Sequence, residues 1–397
     1  MKIFTVLGSL FFLSHLTQAQ IITIPDANFK DTLVNMNCVD TNGDGTFDSD
    51  ADSNNDGEID QNEALAVTAL DINKLNLSEV LKIESIEGLE FFSNLTYLNA
   101  RANKISQYNF ANNPLLKTLT LIQNEFSSID VSVLPSLENF RISSNFLTEI
   151  DVTSNVFLET LDVGDNNLSE IDTRSNPELI VLFIGGNSNI LDIDISQNLK
   201  LVAFLASGSS LTTVDLSMHP SLQFFGMSDS LLETIDLSNN PELDDILIFN
   251  NPNLTEVNIQ NGQNFFIKAM FTFNCPKLFC IQVDDPVFSN NESCGLPVAP
   301  IGWCKDDQTD YSKNCNLSTT LETNDNSTII HPIPFTNEIF IESTETISEV
   351  RIYDTAGKLH LVTKNVSNIS LEHLLSGVYF VATLFDKKTT YTRVIKD

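Results

Sequence analysis

The chain has 397 residues, with 53 acidic against 21 basic side chains and a formal net charge of −32. So large a negative excess excludes nucleic-acid phosphates as a partner and leaves a solvated surface or divalent cations to balance the charge. Apolar residues make up 42% of the chain, enough for a sizeable core in two or three domains.

Residues 1–19, MKIFTVLGSLFFLSHLTQA, join a lysine, an apolar run and a small-residue end. That is the make-up of a secretory signal peptide, with cleavage expected before Gln20. The apolar run is shorter than the ~20 residues a membrane span needs, and no later stretch suffices. The mature protein is expected to be exported and water-soluble.

Residues 20–85 read as an N-terminal cap. IPDANFKDTLVNM (24–36) predicts an amphipathic helix with Phe29 and Leu33 on one face. DTNGDGTFDSDADSNNDGEIDQNEA (40–64) follows. Its second part resembles the twelve-residue EF-hand loop, which implies calcium. Asp52, Asn54 and Asp56 take positions one, three and five, Gly57 the sharp turn, and Glu58 a carbonyl ligand at seven. Asp60 stands at nine and Glu63 closes the shell at twelve, while Ile59 would hold the loop against the core. The preceding part offers Asp40, Asn42, Asp44, Thr46 and Asp48, but Ala51 stands where the glutamate belongs. This weaker loop is either incomplete or borrows Asp50 or Asp52, as in tandem thrombospondin-3-like calcium repeats. The two loops together occupy residues 40–63.

From residue 86 to 286 the chain falls into lines of 21 or 22 residues, such as SLENFRISSNFLTEIDVTSNV (136–156) and FLETLDVGDNNLSEIDTRSNP (157–177). The consensus LxxLxLxxNxLxxIDLSxNP resembles the short class of leucine-rich repeats. Within one line, Leu158, Leu161 and Val163 lead to Asn166, and Leu168, Ile171 and Thr173 lead to Asn176. Alternation of apolar residues predicts strands, and each Asn turns the chain. The expected fold is mainly β: a gently curved solenoid with two parallel sheets around a shared core, strands ~4.8 Å apart.

Two outward rows stand out. Asp130, Asp151, Asp172, Asp194, Asp215 and Asp236 occupy one position of the second strand, with Asn109 and Asn258 at the ends. They form either a turn-capping ladder or a cation-binding strip. On the first strand, the residues flanking the core position are polar in the early coils: Tyr97, Asn99, Thr118, Thr120, Asn139, Arg141, Thr160 and Asp162. Later they become Val181, Phe183, Ala203, Leu205, Phe224, Leu247 and Phe271, with Phe249 and Phe273 one step on. This apolar run is a binding surface, a face covered by the chain's own end, or a register read one residue out.

Six cysteines suit an oxidising compartment. Cys38 lies too far from the rest to pair, and Cys275 occupies the buried asparagine position of the last coil. Cys280 with Cys315 and Cys294 with Cys304 are expected to bridge a cap at 287–315 around Trp303. A polar linker (316–328) leads to residues 329–397, which hold eight acids against seven basic residues. Short alternating runs predict a small β-sandwich there. HPIPFTNEIFI (331–341), RIYDTAGK (351–358), LEHLLSGVYFV (371–381) and the terminal RVIK resemble the type IX secretion sorting domain of Bacteroidota. His331 and Ile333 depart from the more frequent Tyr-Pro-Asn-Pro start. The resemblance implies the type IX machinery as a partner, removal of the domain, and release or anchoring on surface lipopolysaccharide.

No enzymatic constellation is present: His219, His331, His360 and His373 stand apart, and nucleophile elbow, zinc spacing and phosphate loop are missing. The expectation is a secreted or surface-exposed, non-enzymatic binding protein for a protein or polysaccharide ligand, active in adhesion. A passive surface coat is the alternative, and a carboxylate-based glycan hydrolase a weaker one.

Overall fold

A computed structural model describes residues 20–295, 301–315, 328–331, 335–343, 346–354, 358–364, 368–385 and 389–396. The expected signal peptide and most of the 316–328 linker lie outside the described residues. The chain divides into two compact units, Met1–Lys313 and Asn314–Asp397.

The first unit is built on an eleven-stranded parallel sheet. Its strands are Ala69–Asp71, Tyr97–Asn99, Thr118–Thr120, Asn139–Arg141, Thr160–Asp162, Val181–Phe183, Ala203–Leu205, Phe224–Gly226, Asp245–Leu247, Ala269–Phe271 and Gly302–Cys304. Each is three residues long, and the middle residue enters the core. Leu119, Phe140, Leu161, Leu182, Phe204, Phe225, Ile246 and Met270 are fully buried. Truncating one of them to alanine would cost about 2–5 kcal/mol. The register follows from the period of two, since a one-residue slip would expose this whole row.

The second sheet is shorter: Thr234–Asp236, Glu256–Asn258, Cys280–Gln282 and Asp310–Ser312. The sequence predicts a strand at this place in every coil. Among the described residues from 115 to 233, the equivalent stretches carry no strand, and asparagine side chains link coil to coil instead. Asn155 Nδ2 donates to the carbonyls of Val131 (2.9 Å) and Leu134 (2.8 Å), and Asn176 does the same to Val152 and Asn155. The aspartate row serves these turns. Asp130, Asp151, Asp172, Asp194, Asp215 and Asp236 each accept the N–H two residues on, at 2.9–3.0 Å, which is the Asx-turn geometry that reverses a chain.

A second asparagine row closes the other turn. Asn124 Nδ2 donates to Ala100 O (2.9 Å) and Leu121 O (3.1 Å), while its Oδ1 accepts Ile105 N–H (3.0 Å). Asn145, Asn166, Asn187 and Asn251 repeat the pattern. Cys275 takes this place in the last coil, its Sγ 3.5 Å from Ile248 O. It is a free thiol, as is Cys38, and burial pushes the two up to about 11 and about 12.

Both ends of the unit's core are covered. Helix α1 (Ala27–Asn35) lays Phe29 and Leu33 on the first coils. Its N-cap Asp26 also accepts the N–H groups of Glu84 and Ser85, at 2.8 and 3.0 Å. At the other end Trp303 is buried and packs edge-on against Tyr311 and Phe288, its Nε1 donating to Ile267 O. Cys294 is bonded to Cys304, and Cys280 and Cys315 are both in disulfide linkage.

The second unit holds two antiparallel sheets. One comprises Thr328–His331, Glu338–Ser343 and Asn368–Ser370; the other Leu359–Thr363, Glu349–Asp354, Gly377–Leu384 and Thr389–Lys396. Ile339, Ile341 and Ile369 from the first share one core with Val350, Ile352, Val381 and Val394 from the second, so the two form a sandwich. Lys396 is buried, and its Nζ donates to Leu371 O at 2.7 Å. Among the described residues no helix is long and apolar enough to cross a membrane.

Candidate functional site

The outer face of the eleven-stranded sheet changes character along its length. One row runs Thr160, Val181, Ala203, Phe224, Asp245, Ala269; the other runs Asp162, Phe183, Leu205, Gly226, Leu247, Phe271, Cys304. Val181, Phe183, Ala203, Leu205, Phe224 and Leu247 are half-buried side by side, while the residue between them on each strand is in the core. Phe249 and Phe273 extend the strip, their rings stacked at 4.9 Å and 8°. Phe271 does not belong to the accessible strip. It is only 6% exposed, closed over by Cys304 of the last strand and packed with Ala269.

Gly226 lies in the middle of this strip, and its place is filled from the side. A Cβ there would sit 3.3 Å from Leu205 Cγ and 3.4 Å from the Phe224 ring. The two side chains thus lean over the glycine and make the face continuous.

Two carboxylates interrupt the apolar surface. Asp245 lies between Phe224 and Ala269; burial and then Asp244 push its carboxyl above the usual carboxylate range. Lys268 pairs with Asp244 instead, at 2.7 Å. Asp162 lies beside Phe183 and accepts from Ser143 Oγ (2.9 Å) and Gly164 N–H (3.2 Å). Burial raises its carboxyl as well, and these hydrogen bonds and nearby Arg141 do not offset that. The sequence reading passed over Asp245, although the period of two places it on the same face as Leu247.

The N-terminal loop, Asp52–Glu63, turns on two residues with positive φ. Gly57 has φ +85 and Asn55 φ +56. Ile59 is fully buried, and helix α2 (Gln61–Ala66) begins at the tenth loop position with Asp60 as its N-cap. The carboxylates, however, face the loop's own N–H groups. Asp52 accepts from Asp56 and Gly57, Asn54 Oδ1 from Asp56, and Asp56 from Glu58. Glu63, buried, accepts from Asn54 and Asp60. The Glu58 side chain is turned away to Lys30 at 2.7 Å, so the residue serves the loop through its backbone alone. Among the described residues no three His, Cys, Asp or Glu side chains converge as a bound ion requires. The oxygen-only donor set of Asp52, Asn54, Asp56, Asp60 and Glu63 suits a hard cation, and these residues would hold it after turning inward.

The first loop is ordered in the same way. Asp40 accepts from Gly45, Gly43 and Asn42, which hold its carboxyl below the usual range. Asp44 accepts from Thr46 N–H and Asn42 Nδ2. Asp48 N–H donates to Val39 O, so its backbone serves the cap's own pairing.

On the opposite side of the solenoid, a half-open depression of about 680 Å³ is lined by Glu149, Asp151, Glu170, Asp172, Arg174 and Asp194 among others. Arg174 grips Asp172 with two bonds of 2.9 and 2.7 Å and pulls its carboxyl down to about 2.

The described structure is a parallel-strand solenoid followed by a separate tail of antiparallel sheets. Residues 329–397 match the family described as the secretion system C-terminal sorting domain. That domain marks the chain for export, to the cell surface or into the medium. No curated protein matches the chain. Among solved structures, the functional domain of InlJ from Listeria monocytogenes is 17% identical, covering 86% of this chain and 93% of its own at a TM-score of 0.45. Internalin C2 of the same organism is 16% identical over 56% of this chain and 92% of its own, at 0.36. A leucine-rich repeat protein of Leptospira interrogans is 19% identical over 49% and 52%, also at 0.36.

Proposed function

We propose that this secreted leucine-rich repeat protein is a binding protein, and that the apolar strip on its eleven-stranded sheet is the recognition surface. The observation that carries the reading is the change along one sheet face, from Thr118, Asn139 and Arg141 to Val181, Phe183, Leu205, Phe224 and Leu247. Scattered exposed apolar residues are ordinary, but a contiguous strip on the order of several hundred Å² is a feature of interaction sites. Aromatic anchors are where binding energy concentrates. A passive surface coat needs no such strip, and a glycan hydrolase needs a water-excluding cleft rather than an open face. Binding of a protein or polysaccharide, with a role in adhesion, therefore accounts for the face best.

The remaining parts fit a protein working outside the cell. Calcium at Asp52–Glu63, with a weaker ion at Asp40–Asp48, would rigidify the cap that starts the solenoid. The sorting domain would be removed during export, with release or attachment to surface lipopolysaccharide as the end state. The test of the binding role is capture of partners from surface extracts by the full mature chain, against a Phe183→Ser/Leu205→Ser variant. Both side chains lie half-buried on the outer face and outside the core, so a melting curve of the variant accompanies the capture to separate lost binding from lost folding. Equal capture by the two proteins would remove the strip from the account.

A further inference from the structure

The strip has charge only at two places, and both charges are negative. Asp162 sits at its N-terminal edge beside Phe183, and Asp245 sits within it beside Phe224. Between them Val181, Phe183, Ala203, Leu205, Phe224 and Leu247 offer no hydrogen-bonding side chain. A neutral polysaccharide would bring hydroxyl groups onto that surface and strip them of water without replacement bonds, which is unfavourable. A chain that lays apolar side chains on the strip can keep its backbone polar groups turned to solvent, and the overall charge of −32 would steer a cationic one inward.

We propose that the strip takes an extended polypeptide segment carrying two basic side chains, one placed on Asp245 and one on Asp162, with apolar side chains between them. This rests on the strip being the binding surface. Four strand spacings of ~4.8 Å and a two-residue offset put the carboxylates about 20 Å apart, and at ~3.3 Å per residue an extended segment covers that in about six residues. The segment therefore crosses the strands and runs along the solenoid axis. Asp245 is the stronger anchor. Its nearest lysine, Lys268, is held by Asp244, whereas Asp162 already accepts from Ser143 and Gly164 and has Arg141 beside it on the neighbouring strand, which weakens it as a cation site. Burial of both carboxyls by the surrounding apolar side chains means that a cation placed there meets a poorly solvated partner, where an ion pair is less screened.

The test uses the full mature chain as bait for a displayed library of random twelve-residue peptides, with the Asp162→Asn/Asp245→Asn and Phe183→Ser/Leu205→Ser variants in parallel. The expected result is enrichment of peptides with two Lys or Arg residues about six apart and apolar residues between. Their affinity should fall about tenfold with the double Asn variant and beyond detection with the double Ser variant. Enriched peptides that are acidic, neutral or indifferent to the Asn changes would overturn the pairing while leaving the strip as a binding surface. The same holds if no peptide is enriched but the Ser variant alone loses binding on a glycan array. If neither library nor array responds to the Ser variant, the strip is not the binding surface and both readings fall.

Discussion

His219 Nε2 lies 3.2 Å from the carbonyl oxygen of Ile195, the contact that Asn240 makes with Leu216 one coil later at 3.0 Å. The imidazole thus works as a substitute asparagine in the turn row, buried at 1% exposure, with Nε2 as the protonated nitrogen. Asn240, however, donates a second bond to the carbonyl of its neighbour, at 2.8 Å, and a single imidazole N–H cannot do both. His219→Asn is expected to keep or slightly raise the melting temperature. His219→Ala should cost about 1–3 kcal/mol, because a buried carbonyl then lacks its donor. Thermal melts of the two variants check this.

The same row contains a place where a methyl group stands in for a useful hydroxyl. Thr173 Oγ1 donates to Asn198 Oδ1 at 2.8 Å, and Tyr108 does the same for Asn113 at 3.1 Å. Asn176 Oδ1 is buried with no partner, and the residue in Thr173's place is Val152, whose carbonyl Asn176 Nδ2 bonds at 2.9 Å. Exchanging a buried valine for threonine is usually unfavourable because the hydroxyl is stranded. Here the hydroxyl meets an unpaired acceptor. Val152→Thr is therefore expected to raise stability by about 1 kcal/mol, and a denaturant titration showing a loss would contradict it.

Acid should weaken the aspartate row. Arg174 holds Asp172 down to about 2, and hydroxyl and N–H bonds from Thr153, Ser196 and Ser217 lower Asp151, Asp194 and Asp215. A carboxyl lowered in the folded state contributes stability above its unfolded value of about 3.9, and that contribution disappears as pH falls through the folded value. The stability difference between wild type and Asp172→Asn should be constant above about pH 5, shrink as pH falls below the unfolded value, and vanish only below the folded value of about 2. Relief of charge repulsion on acidification acts on both proteins alike, so the difference isolates the bond. A difference that grows toward acid would reverse the assignment.

Calcium is expected to raise the melting temperature of the solenoid unit, since the loop is fixed to it through Ile59 and the Ile22 N–H bond to Ile59 O at 2.8 Å. Binding only to the folded state adds about 2.7 kcal/mol at a hundredfold excess over Kd. Melts in EDTA and in millimolar calcium, with Glu63→Ala as control, measure it. Identical midpoints for the wild-type protein would exclude the ion.

The sequence carried the register because alternation leaves little freedom. Leu182 and Phe183 are both large and apolar, yet their places relative to Asn187 decide which is inside. The second sheet was harder to read. SEIDTRSNP (169–177) and ETIDLSNNP (233–241) are nearly the same phrase, and only the latter holds a strand, at Thr234–Asp236. Backbone pairing there depends on how closely neighbouring coils approach, a property of the whole stack. Phe271 went astray for a related reason. The strand that covers it, Gly302–Cys304, lies beyond a helix and a disulfide, outside any periodic pattern. Lys74 gave no signal either: it is buried at 4% exposure and donates to Thr32 Oγ1.

Besides its bond to Leu121 O in its own coil, Asn124 makes two bonds that reach backward. Its amide serves a carbonyl of the coil before, and its oxygen takes an N–H from that same coil. Each turn of the chain is therefore a socket for the next, and the only unit of length the molecule can gain or lose cleanly is a full turn. Excising residues 136–156 would join Pro135 to Phe157 with both asparagine files still in step, whereas removing ten residues would leave every later coil facing the wrong carbonyls. A coil gained or lost between Asp162 and Asp245 would change their separation by one strand spacing of ~4.8 Å, whereas one gained or lost before Asp162 would leave it unchanged.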